Sequence, residues 1–182
     1  MSSTSVKTFA HSEPGASALS GTAGSQLAII KTCLVDGRGA GAVATLVVAA
    51  GIATANYAAG HPFAVGSVGL FAGATPVELN GEKRILSVST TAVTFAAPGV
   101  ADGAATGSIT SKLAAAGWLQ LYAGTNLAAL KPSVVEATGC VLRIDDTGTL
   151  NARVRAFEAM TDASSGAGLT PMESQVAGGL YW

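Results

Sequence analysis

The chain has 182 residues, a formal net charge of -1 and a charged fraction of 12%, with 49% of its residues hydrophobic. Ala (36) and Gly (23) make up about a third of it, so much of that hydrophobic fraction is methyl groups and a core of large side chains must be modest. Ten Lys and Arg against eleven Asp and Glu argue against a nucleic-acid binder, and low charge with recurrent Val, Leu and Ile argues against disorder.

The N-terminus, Met1 to Ser12, is polar and has no apolar targeting core. Residues 1–24, rich in Ser, Thr, Ala and Gly, read as an extended arm that is mobile or lies on a neighbour. Behind Ser25, the residues Leu27, Ile30 and Leu34 fall at helical spacing, and Gly37 and Gly39 supply a stop. The pattern predicts a helix over about 25–35 whose wide apolar face packs on a sheet.

From Val43 the period changes to two, with strands at 43–48 and 52–57 joined by Ala49-Ala50-Gly51 into a hairpin. The most apolar stretch, 43–59, is interrupted by Gly51 and Asn56 and is shorter than the roughly 20 residues a bilayer span needs. Further strands are predicted at 67–72, 82–89, 92–96 and 105–110, with Gly60-His61-Pro62, Gly73-Ala74-Thr75-Pro76, Asn80-Gly81 and Pro98-Gly99 as turns. Turn signals about every 8–12 residues point to a small barrel or sandwich.

Beyond Lys112, strands are expected near 118–123, 127–131, 140–145 and 151–159, the last two joined through Asp145-Asp146-Thr147-Gly148-Thr149. The apolar end, Gly178-Gly179-Leu180-Tyr181-Trp182, reads as the start of one more strand. The helix has no partner sheet before residue 112, so the middle module is read as an insertion. The expected fold is mainly β (α+β): an arm at 1–24, a helix-plus-antiparallel-sheet domain from 25–42 and 113–182, and an inserted small β-barrel at 43–112.

Few residues suggest chemistry. Asp146-Thr147-Gly148 behind an apolar strand is the local signature of aspartic proteases, in which two such loops share a proton. The competing reading is a turn in which Asp caps the backbone and Gly takes the left-handed conformation. Asp145 beside it places a second charge where that dyad needs an apolar setting. His11 falls in the arm and His61 in a turn, with no carboxylate or thiol at ligand spacing. Gly37-Arg38-Gly39-Ala40-Gly41 follows a helix and enters a strand, the reverse of a phosphate loop. Cys33 and Cys140 read as small buried hydrophobes, with a single bridge as the alternative if their Cα atoms lie within about 7 Å. Arg153 and Arg155 alternate on one strand face near Glu158, as inter-subunit ion pairs or as a solvated face. Trp118, Tyr122, Tyr181 and Trp182 suit core and interface, or stacking on sugars. These four aromatics and two arginines are the candidate assembly residues, and no catalytic residue, cofactor or metal is expected.

Gly60-His61-Pro62-Phe63, with Gly66, Glu78-Leu79-Asn80-Gly81-Glu82 and Thr94-Phe95, resembles the small β-barrel of the first catalytic-cysteine half-domain of ubiquitin-activating enzymes. A similar pattern occurs in structural proteins of tailed bacteriophages. The resemblance covers residues 43–111 and implies a fold, with Phe63 and Phe95 filling a barrel; no cysteine lies in this stretch, so no ubiquitin chemistry comes with it. Leu142-Arg143-Ile144-Asp145-Asp146-Thr147-Gly148 and 151–162, with Gly117-Trp118 and 122–126, look like a family of virion proteins of tailed phages and prophages. Members of that family often run on past this length, which implies that residues 1–182 are the particle-bound part.

The resemblance implies a non-enzymatic virion protein, tail or tail-tip associated, whose partners are copies of itself and other virion proteins. Capsid decoration and a carbohydrate-binding receptor module for a host-surface glycan are the alternatives. Neither nucleic acid nor membrane is expected as a partner, and both chain ends, 1–24 and 171–182, are expected to order only against neighbours.

Overall fold

The structure, a computed structural model, describes residues 3–134 and 137–170. The chain divides into two units, one from residues 1–16 and 37–115, the other from 17–36 and 116–182. The fold is mainly β, with one α-helix among the described residues.

In the first unit, β1 (Arg38–Ala42), β2 (Thr45–Ala49), β3 (Ile52–Asn56), β4 (Val68–Ala72), β5 (Gly81–Val88), β6 (Ala92–Ala96), β7 (Gly103–Ala104) and β8 (Thr110–Leu113) form one antiparallel sheet curled into a half-barrel. Its order is β1-β8-β4-β5-β6-β3-β2-β7. Arg38 pairs with Leu113 and Ala42 with Thr110, while Val47 pairs with Ala104. Backbone bonds from Val43 to Ile109 and from Ala105 to Leu46 fill the gap between those ladders. Residues 38–48 and 103–113 therefore make one long bent ladder that ties the two ends of the sheet together.

The period-two pattern has a direct physical cause, since successive side chains leave a strand on opposite faces. Leu46 and Val48, Ala53 and Ala55, Val93 and Phe95 all point inward and are buried. Ala53 lies directly opposite Phe95 in the ladder. Small inner residues of this kind make room for three fully buried rings, Phe63, Phe71 and Phe95, with the centroids of the last two 4.6 Å apart. Tyr57 joins this core with its hydroxyl 2.8 Å from that of Ser111, and burial pushes its phenol pKa up. A buried polar tip with a partner is the arrangement that costs least.

One turn is as expected and another differs. Ala50 and Gly51 both have positive φ (50° and 74°), as a two-residue hairpin between paired Ala49 and Ile52 requires. Asn80-Gly81, in contrast, is not a two-residue turn, because Phe71 pairs with Gly81 and a longer loop intervenes. The Asn80 side chain braces that loop by accepting from the Ala74 N–H and donating to the Ala74 carbonyl, each at 2.8 Å. At the foot of the loop Gly73 and Gly107 nearly touch: a Cβ on Gly107 would lie 2.1 Å from the Gly73 oxygen.

The unit also begins earlier than the period suggested, at Gly37 rather than Val43, and ends at Ala115 rather than Lys112. The strand responsible, β1, is Arg-Gly-Ala-Gly-Ala and has no alternation to read. The N-terminal arm differs more. Rather than waiting for a neighbour, residues 3–16 lie along this unit. The Arg84 guanidinium donates to the carbonyls of Ser3 and Val6, Lys7 pairs with Glu82 at 3.1 Å, Arg38 pairs with Glu13, and Phe9 packs on the core.

In the second unit, helix α1 (Ser25–Lys31) continues into a wider turn, Thr32–Asp36. Strands β9 (Trp118–Gly124), β10 (Leu127–Pro132), β11 (Val141–Asp145) and β12 (Arg153–Phe157) form an antiparallel sheet in the order β12-β11-β10-β9. A small ladder, β13 (Ala159–Met160) with β14 (Gly166–Ala167), follows. Leu27 of α1 packs with Ala128, Leu130 and Ile144 on one sheet face, as the wide apolar face of the helix predicted.

Candidate functional site

The Asp145-Asp146 pair sits where β11 ends, and the two carboxylates have different surroundings. Asp146 is 4% exposed and its Oδ2 accepts the Leu27 N–H at 2.9 Å, while its backbone oxygen accepts from Gly24 and its N–H donates to Asn126. It thus caps α1 from a distant part of the chain. Gly24, the residue ahead of the helix, has no side chain to do so, and a Cβ there would meet the Asn126 Oδ1 at 2.3 Å.

Asp145 makes the local turn instead, accepting from the Thr147 hydroxyl at 2.7 Å and from its N–H, with Arg143 3.2 Å away. The expectation for Gly148 is corrected as well: its φ is not positive, and what restricts it is the Asn151 oxygen, 2.8 Å from where a Cβ would stand.

Partial burial raises the pKa of the Asp145 carboxyl, but the Thr147 hydrogen bonds and the Arg143 charge outweigh it and hold the group below the usual carboxylate value. A depressed folded-state value means that the contribution to stability is present above the unfolded value of about 3.9 and is lost as pH falls through the lower folded one. Urea unfolding of the wild type and Asp145→Asn at pH 6 and below pH 4 should therefore show the wild type's advantage shrinking in acid. An advantage that is constant with pH would contradict this account.

The sheet separates the predicted assembly residues. Trp118 packs with the helix-side cluster, whereas Tyr122 packs on the opposite face with Ala129, Val141, Phe157 and Met160, its hydroxyl donating to the Met160 carbonyl at 3.2 Å. Trp118 and Tyr122 are an even number of residues apart and would share a face in a regular strand. A bulge at Leu121 reverses the parity, since Tyr122 pairs with Ala129 but Gln120 with Leu130. Arg153 and Arg155 do share the Tyr122 face, opposite Asp145 and Arg143 in the ladder. Both are half-buried and engaged, so that face is not simply solvated. Tyr181 and Trp182 lie outside the described residues.

His61 has a structural environment. Its Nδ1 accepts the Phe63 N–H, its Nε2 lies 2.8 Å from the Ser89 carbonyl, and its ring packs near Tyr57 and Phe63. Cys33 and Cys140 form no disulfide; the first is half-buried and the second exposed, so neither is the small buried hydrophobe expected. Among the described residues no group of three or more His, Cys, Asp and Glu is placed to hold a metal, and no helix is long and apolar enough to cross a membrane.

Sequence reasoning did not single out the outward face of the half-barrel. Thr45, Val47, Ile52, Thr54, Thr94 and Ala96 occupy it in register across β2, β3 and β6, and no charged residue interrupts them. Val47 and Ile52 are each 39% exposed. Its signal was legible as the uncharged alternate positions of three predicted strands. No protein-family model, curated protein or solved structure matches the chain.

Proposed function

We propose that this chain is a non-enzymatic structural component of a tailed-phage or prophage virion, placed in the tail or at its tip, that acts by packing against copies of itself and other virion proteins. The observation that carries the reading is the uncharged outer face of β2, β3 and β6. Depletion of charge is the compositional mark of the buried centre of protein interfaces. The choice of particle comes from the sequence resemblance over residues 43–111 and its flanks.

Two alternatives lose support. The cement reading drew on an extended arm free for its neighbours, and residues 3–16 are engaged with their own unit. A sugar groove needs aromatics on one wall, and Trp118 and Tyr122 face opposite ways. Gold-labelled antibody against the chain, imaged on intact particles, is expected to mark tails. Label on the shell would move the protein to capsid decoration, and particles without label would overturn the proposal.

A further inference from the structure

The N-terminal arm, residues 3–16, adds no strand to the eight-stranded sheet, so its departure would break no ladder hydrogen bond. Side chains of two separate strands hold it instead. On β5 the Arg84 guanidinium donates to the Ser3 carbonyl at 2.6 and 3.0 Å and to the Val6 carbonyl at 2.8 Å, and Glu82 takes the Lys7 ammonium. On β1 the Arg38 guanidinium takes the Glu13 carboxylate. Between these points along the arm, Phe9 packs on the core.

The unit itself fixes much of the receiving side. Glu82 and Arg84 are set by the ladder opposite Leu70 and Val68 of β4, and a further amine of Arg84 donates to the Gly66 carbonyl. The arm leads on to α1 through residues 17–22, all of them exposed. Segments with few buried apolar contacts open locally at well below the cost of global unfolding. Phe9 is the one residue of the arm packed on that core among the described residues.

We propose that this part of the half-barrel is a peptide-recognition surface whose ligand is the chain's own residues 3–13, bound reversibly while the sheet stays folded. Charge and order select that ligand. A cation, an aromatic ring and a carboxylate follow one another at positions 7, 9 and 13, and they meet a carboxylate, the apolar core and a guanidinium. Laid the other way, the segment would bring Glu13 to Glu82 and Lys7 to Arg38, two contacts between like charges. Arg84 takes only backbone carbonyls and holds any extended segment, so the ion pairs are what set direction and register. The proposal goes beyond the assembly reading and does not depend on it.

The test uses the whole chain with a protease recognition sequence inserted between Ala18 and Leu19, within the exposed stretch. The folded protein is cut and a fluorescent peptide of residues 3–16 is added. Anisotropy then reports binding, while far-UV circular dichroism reports the sheet. The cut arm should exchange for the peptide with the sheet signal unchanged. Arg84→Ala should weaken peptide binding about tenfold or more, because hydrogen bonds from a charged donor are lost. A peptide carrying Lys7→Glu should bind the wild type about fivefold more weakly and regain its affinity on Glu82→Lys. An arm that does not exchange would overturn the proposal, and so would one whose departure melts the sheet. Equal binding of the Lys7→Glu peptide to the wild type and to Glu82→Lys would overturn the assigned register and the proposal with it.

Discussion

Phe95→Ala should cost the half-barrel unit about 3–5 kcal/mol, the usual range when a buried ring is truncated. Phe95 is 0% exposed and packs 4.6 Å from Phe71, ring centroid to ring centroid. Its ladder neighbours are Ala53 on one side and Ile85 on the other. Alanine has no side-chain freedom with which to refill the space, so the cavity persists and its lining loses dispersion contacts outright. In a chain this rich in Ala, few other residues share the burial: three of its five Phe form this core. Since a whole domain is stable by only about 5–15 kcal/mol, the variant should lose amide protection across 45–96 in hydrogen exchange, and its urea midpoint should fall steeply. Phe95→Leu, which keeps most of the volume, should cost distinctly less. A Phe95→Ala cost below about 1 kcal/mol would mean that the ring is not a principal part of this core.

The same residues show how far the sequence could be read. Alternation located β2, β3 and β6 within a residue or two because one face of each is buried and the other is not. It missed β1, where Gly39 and Gly41 have no side chain to place on either face. The helix and its target sheet were legible from Leu27, Ile30 and Leu34, which all pack in the predicted direction.

Long-range pairings were not legible. Nothing in the neighbourhood of Arg84 announces that its guanidinium will take the carbonyls of Ser3 and Val6, and so by sequence the N-terminal segment reads as an arm that is mobile or lies on a neighbour. The bulge at Leu121 is likewise invisible to a period-two reading, yet it decides which aromatics share a face. Local patterns report burial along one strand; register shifts and partners far along the chain depend on packing that no single window contains.

Asp146 is the sharpest case, and its removal is the second large effect expected. Asp146→Ala should destabilise the second unit by about 2–3 kcal/mol, because a charge-assisted hydrogen bond is lost and the buried Leu27 N–H keeps no acceptor. The helix it caps spans only Ser25–Lys31 and is far too short to persist without tertiary support. No neighbour can substitute, since Gly24 has no side chain and the space where one would stand holds the Asn126 amide. Asp146→Asn keeps an acceptor at the same place and gives up only the charge at the helix N-terminus, which is worth about 1 kcal/mol. The two variants should therefore separate clearly in urea unfolding. Trp118 packs in the same cluster as Leu27 and provides the fluorescence reporter. Equal loss in both would show that charge, not the hydrogen bond, is what matters; no loss in either would remove the distant cap from the account of this fold. In this chain the aspartate of the Asp-Thr-Gly motif thus holds a helix on its sheet, and the ladder of substitutions at position 146 measures how firmly.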